Sequence, residues 1–342
     1  MKRLLMCLAV LCAAAGADDR VALQLDTSEA EAVLAILDKG AARQPVDDAD
    51  WQRLFGSAPY QRLKKREAGL KRDFTDDDFR RFVLSPELAA RAGELRRTLA
   101  AWKRADLGAA AARILPYLPR DARVRAHVYP VIKPQSNSFV FEVRTDPAIF
   151  LYLDPEMSEA AFESTVAHEA HHIGYASGSA AYDKVVEAAP AARRPVLNWI
   201  GAFGEGLAVL AAAGGPEAHP IAAYTPLERA RWDEDMKSLG AQFAQLDTFF
   251  QDVLRGGFQD DEAINHVGYL FFGYRGPWYT VGWKMGAVVE QRYGRAVLIE
   301  CAADPRQLLL RYNEAAAERN QKATAEKLPL WSPQVIEAVS GK

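Results

Sequence analysis

Three of the six histidines in this 342-residue chain fall within five positions, in His168-Glu169-Ala170-His171-His172. On a helix, His168 and His172 lie one turn apart and project from the same face. Two imidazoles so placed can share one ion about 2 Å from each ring nitrogen. Glu169 sits about 100° around the helix from His168, on the flank of that ion. There its carboxylate can touch a metal-bound water without ligating the metal, which is what a general base needs. A chance His-Glu-x-x-His arises in on the order of one such chain in a hundred. The bland alternative is an exposed helix with coincidental imidazoles, and the clustering argues against it. His171 lies off the ligand face and is expected on the helix surface or in contact behind the ligands.

A catalytic zinc site has three protein ligands and an open fourth position. A third histidine six residues past the second would serve, but Gly178 stands there. A carboxylate from a later helix is left, with Asp183, Glu187 and Glu205 as candidates. Between Arg194 and Glu217, Glu205 is the only charged side chain, in the apolar run from Trp199 to Leu210. An unpaired carboxylate buried there would cost several kcal/mol or take up a proton, and a divalent cation removes that penalty. A neutral buried Glu, or one paired with Arg, is the competing reading. Gly201, Gly204 and Gly206 remove bulk and let another helix approach, despite their cost to helix propensity. Glu187 lies in a stretch of mixed polarity, where a solvated face suffices. Hydrolysis also wants a donor for the developing oxyanion. Tyr279, in the Gly- and aromatic-rich segment 273–282, is the first choice, with His266 and Tyr274 behind it. Packing is the competing role for aromatics there.

The elements that must hold these residues follow from periodicity. Residues 158–174 lack proline and place Ala161, Phe162, Thr165 and Val166 at helical spacing. From Ser28 to about Leu118 the pattern is helical throughout, with Leu88, Leu95, Leu99 and Trp102 forming one stripe. Three strand candidates follow: Val124–Val128, Phe139–Val143 and Ile149–Leu153. Either of the last two could be an edge strand that pairs with an extended peptide and lays it across the metal. After Pro155 the helical pattern returns. One helix is expected to start at the capping box Thr225-Pro226-Leu227-Glu228, carry a stripe from Trp232 to Leu246 and stop at Gly256-Gly257. The expected fold is α+β, predominantly helical and zincin-like, with a small sheet before the metal-binding helix.

At 49% hydrophobic and 25% charged residues, the composition is that of a globular protein. A net charge of −3 gives no support to nucleic acid as a partner. Met1-Lys2-Arg3, an apolar run to Gly16 and the Ala15-Gly16-Ala17 site describe a secretory signal peptide over residues 1–17. Cleavage removes Lys2, Arg3, Cys7 and Cys12, taking the charge to −5 and leaving Cys301 as the lone thiol. One domain over 18–342 is expected: helical over 28–118, a small sheet over 123–153 and a helical catalytic part over 155–340. A periplasmic or secreted location without a stable membrane anchor follows. The 196–215 segment fails as a span because Glu205 sits at its centre.

The chain resembles a family of bacterial zinc-dependent peptidases long filed as a domain of unknown function. The likeness runs through Trp51 to Phe55 with Tyr60, Phe74-Thr75 with Phe79, and Tyr117-Leu118-Pro119. It continues through His168 to Gly174, Gly204 to Ala208, Tyr279 to Gly282, Gly294 and Tyr312-Asn313. These proteins are gluzincin-like, combining His-Glu-x-x-His with a downstream Glu. The resemblance implies a metallopeptidase with Zn2+ on His168, His172 and Glu205, Glu169 as base, and a peptide or protein as substrate. One departure stands out: the thermolysin-type pattern has Ser-Asp near the ligand Glu, whereas Gly206-Leu207 follows Glu205. The carboxylates that orient the two histidines are therefore unassigned. The expected activity is peptide hydrolysis by a zinc-activated water with Glu169 as general base. The alternative is a non-catalytic helical binding or structural protein whose zinc only clamps helices.

Overall fold

The computed structural model describes residues 20–176, 180–322 and 327–341. The signal segment, with Cys7 and Cys12, and Gly178 lie outside them. Four strands form one mixed sheet: β1 (Val21–Leu25), β2 (Val124–Val131), β3 (Phe139–Phe141) and β4 (Ala148–Tyr152). Their spatial order is β1-β2-β4-β3. β2 pairs in parallel with both β1 and β4, with Val128 opposite Leu25 and Ile149. β3 runs antiparallel to β4, with Phe139 opposite Phe150. Ile149, Phe150 and Leu151 are fully buried, as an interior strand covered on both faces requires. Of the two proposed edges, β3 is therefore the edge and β4 is not. β1 is a strand that periodicity did not reveal. Its pairing partner lies a hundred residues away, so no local turn signal marks it.

Six helices lie between β1 and β2: α1 (Ser28–Ala41), α2 (Asp48–Phe55), α3 (Ala58–Gly69), α4 (Asp76–Val83), α5 (Pro86–Trp102) and α6 (Leu107–Ile114). After the sheet come α7 (Glu159–Ala176), α8 (Ala180–Ala188), α9 (Arg194–Ile200), α10 (Gly204–Ala213), α11 (Pro226–Lys237) and α12 (Leu239–Leu254). The chain ends with α13 (Asp261–Leu270), α14 (Pro277–Tyr293), α15 (Arg295–Ala303), α16 (Pro305–Lys322) and α17 (Pro333–Ser340). This is the helix-dominated α+β architecture that the periodicity indicates. The capping box forms at Thr225, and α12 stops before Gly256, whose φ is +69°. The single helix expected across this stretch is broken at Ser238. The Ser238 hydroxyl and the Gln242 amide both donate to the Asp235 carbonyl, taking it out of the helical ladder.

α7 is the central helix of the fold. Trp102 of α5 stacks on Phe162 of α7 with ring centroids 4.3 Å apart, and the Trp102 indole donates to the Met157 carbonyl. A Cβ at Gly174 would come within 2.4 Å of Leu118, so the end of α7 lies tight against the sheet side. The segment from Arg194 to Ala213 is apolar enough to cross a membrane, but 67% of it is buried inside the fold, as a core element would be.

A strut ties α1 to the sheet: Glu29, fully buried, accepts the Ile132 N–H at 2.9 Å just past β2. Burial pushes its carboxyl up to about 8, although the Ile132 bond and the Lys133 charge favour ionisation. A carboxyl whose pKa rises on folding adds stability that is complete below the ordinary value of 4.5 and is lost as pH climbs through 8. Wild-type urea midpoints should therefore fall between pH 5 and pH 8, and Glu29→Gln should flatten that slope. The variant should gain roughly 2–4 kcal/mol on wild type across this range; parallel profiles would show Glu29 to be ionised in the fold.

Candidate metal centre

The metal-type residues sit on two helices that face each other. α7 is capped by Ser158, whose hydroxyl accepts the Ala161 N–H at 3.1 Å. Nearly three turns on, His168 and His172 project from one face. Glu205 lies in the first turn of α10 and points back at them. His168 Nε2 is 3.1 Å from Glu205 Oε2 and 3.1 Å from His172 Nε2, and His172 Nε2 is 3.4 Å from the same carboxylate oxygen. Three donor atoms thus form a nearly equilateral triangle. Bonds of about 2.0–2.1 Å in a tetrahedral zinc site place ligand atoms about 3.3–3.4 Å apart. Two imidazole nitrogens aimed at each other and at one carboxylate oxygen are what a shared divalent cation accommodates. The residues fit zinc, and they form the candidate metal group among the described residues. Neither Asp183 nor Glu187 joins them: Asp183 pairs with Arg144 at 2.8 Å, and Glu187 is exposed.

How α10 reaches this position is a matter of glycine. A Cβ on Gly206 would lie 2.0 Å from the Trp283 backbone nitrogen, and one on Gly282 would lie 2.6 Å from the Phe203 carbonyl. α10 and α14 therefore cross backbone to backbone, and the crossing brings the first turns of both helices to the same place. The expectation for Gly206 holds. That for Gly201 and Gly204 does not, since a Cβ at either would meet nothing within 4 Å. From the first turn of α14, the Tyr279 ring lies parallel to His168 with centroids 6.1 Å apart.

Burial opposes ionisation of Glu205, but the adjoining His172 and His168 overcome it and hold the carboxyl well below its usual range. His172 shows the reverse balance: burial works against its charge, and Glu205 carries it up to about 9. Glu169 is raised, by burial first and the Glu205 charge in addition, against the pull of the two histidines. Tyr279 is pushed up by burial and by the Glu205 charge, so its hydroxyl keeps its proton. Of the two places expected for His171, the structure shows the one behind the two histidines and not the helix surface: it is 3% exposed, and burial drives it down to about 3, so it stays neutral. It packs beneath His172 and beside Tyr175.

His168 and Glu169 line a cavity of about 310 Å³, with Tyr279 in its wall. Of the triangle, His168 lines this cavity, and His168, His172 and Glu205 keep 13%, 25% and 21% of their side-chain surface exposed. Tyr274 stands at the mouth, bonded to Glu228, while His266 is exposed on α13 and lines no part of it. Further wall residues include Ser136, Ser138, Asp154 and Tyr224, to which sequence patterns gave no role in the site, and Thr165 and Arg275. Ser136 and Ser138 sit just before β3. Buried Lys133 shapes that loop by donating to the Gln135 carbonyl and to Asn137 Oδ1. Cys301 is buried, with its thiol pushed up to about 12 by desolvation, which leaves no reactive thiolate.

A family model described as "Putative zinc dependent peptidase (DUF5700)" matches residues 51–321, a range that contains every residue of the triangle and of the cavity wall. No curated protein and no solved structure matches the chain significantly. Zinc dialysis followed by metal analysis should find one zinc per wild-type chain and none on Glu205→Ala at the same free zinc. Bound at a thousandfold excess over Kd, zinc should stabilise the fold by about 4 kcal/mol. Full zinc retention by Glu205→Ala would remove that residue from the ligand set.

Proposed function

The chain belongs to this zinc-dependent peptidase family, and from that premise we propose that it is an exported metallopeptidase with a gluzincin-type centre. His168, His172 and Glu205 would hold Zn2+, and peptide or protein would be the substrate. The observation that carries the reading is the triangle of donor atoms at zinc spacing, one of whose histidines, His168, lines the same cavity as Glu169. When bound, zinc supplies a Lewis acid that polarises the scissile carbonyl and lowers the pKa of water toward 7.

The remaining steps belong to the chain itself. Glu169, next to His168 but off the triangle, receives the proton of the attacking water on its carboxylate. It then passes that proton to the leaving amine as the C–N bond breaks. Its raised pKa suits both halves of this transfer, since a carboxyl that burial pushes upward holds a proton better than an ordinary carboxylate and can still return it. Tyr279 keeps its phenolic proton and can donate it in a hydrogen bond to the oxygen that gains charge. The free edge of β3 is the place where a substrate main chain would add as a further strand, beside Ser136 and Ser138. The basic, apolar and small-residue segments of residues 1–17 support export.

Glu169→Gln should lower kcat by about 10²–10⁴-fold while zinc content stays at one per chain. Unchanged turnover in that variant removes the mechanism. Tyr279→Phe should lower kcat by roughly a hundredfold with KM little altered; an equal rise in KM instead would make Tyr279 a binding group. X-ray absorption of the zinc protein should show an oxygen from solvent beside the three side chains, whereas four protein ligands would mark a structural clamp.

A further inference from the structure

We infer that Arg275 is a carboxylate anchor, so that the cleft selects peptides presenting a carboxylate close to the scissile bond; this rests on the peptidase reading above. Among the described residues, Arg275 is the only arginine or lysine lining the cavity that holds His168 and Glu169. It sits in the turn between α13 and α14 with φ of +55°, a left-handed conformation that costs a non-glycine residue about 1 kcal/mol or more. An ion pair that served stability alone would not need that backbone.

The guanidinium is held from three sides. It lies 4.0 Å over the Tyr224 ring and 5.4 Å from the Tyr274 ring. Its Nη1 donates to Glu228 Oε1 at 3.2 Å. Each of these supports is itself fixed. The Tyr224 hydroxyl is 2.9 Å from Thr165 Oγ1 on α7, one turn before Glu169. Glu228 takes the Thr225 N–H at 3.0 Å and the Thr225 hydroxyl at 2.8 Å through its other oxygen, and also accepts the Tyr274 hydroxyl. With four donors spread over its two oxygens, Glu228 orients the guanidinium while its own charge is largely satisfied.

Stacking on an aromatic face leaves the edge of a guanidinium open, and Nε and Nη2 of Arg275 make no hydrogen bond to the described residues. Those two nitrogens form a planar fork that matches a carboxylate bidentately. Asp154 lines the same cavity from the loop after β4 and repels an anion, so the guanidinium confines a carboxylate to its own side. The carboxylate could be a peptide's C-terminus or an Asp or Glu side chain.

The test reads binding rather than turnover. Zinc-loaded Glu169→Gln protein and the double variant Glu169→Gln/Arg275→Met are titrated with four fluorescein-labelled peptide pools, and melting curves confirm that both proteins fold. The pools are randomised over neutral residues, carry a free or amidated C-terminus, and include or lack one Asp. Carboxylate pools should bind the single variant about tenfold or more tighter than the neutral amidated pool. The ratio should fall to about one in the double variant. Arg275→Lys in the same background should restore only part of it, since an ammonium lacks the fork. Loss of the preference on amidation alone identifies the C-terminal carboxylate, and loss on Asp removal alone identifies a side chain. Equal binding of all four pools, or a preference that survives Arg275→Met, overturns the proposal. The peptidase reading fails separately, through unchanged turnover in Glu169→Gln.

Discussion

A carboxylate placed in an apolar helix must find a positive partner or lose its charge, and much of this fold is arranged around that demand at Glu205. Its α10 surroundings offer no cation, with Leu207, Ala208 and Leu210 buried around it. Compensation comes from across the helix interface, from two imidazoles on α7 that are themselves partly desolvated. The three groups hold one another in register, so that each shift in ionisation tendency depends on the other two. A divalent cation, of the kind the family description names, would relieve all three at once.

The backbone makes this juxtaposition possible. α10 can approach α14 closely because Gly206 and Gly282 meet at the crossing. The same approach sets Tyr279 beside His168 and Glu205. On the other flank, α7 is pressed against the sheet at Gly174 and against α5 through the Trp102–Phe162 stack. Packing on both sides holds the three donor atoms close to one another.

The cavity wall divides by origin. One part comes from the sheet side, where the loop before β3 is shaped by Lys133. Another comes from the turn before α14, where Arg275 is braced by Tyr224 and Glu228. α7 supplies the floor between them.

His168, Glu169, His172 and the isolated acid at 205 were legible in the chain because each depends on short-range facts: a helical repeat of about 3.6 and one charge in an apolar run. The helix-dominated fold, the capping box at Thr225 and the strands β2 to β4 were readable for the same reason. β1 was not, since a parallel strand closes with a partner a hundred residues on. The break at Ser238 depends on side chains competing for one carbonyl, and periodicity does not register that. Which of the two places His171 takes, the surface or behind the ligand face, depends on α7 being covered on more than one face, which its own sequence does not declare. Arg275, Glu228 and Tyr224 belong to the cleft only through the meeting of loops distant in the chain. Local pattern therefore determined the candidate site residues, while tertiary packing alone decided what surrounds them, because spacing along a helix fixes direction and only the fold fixes distance.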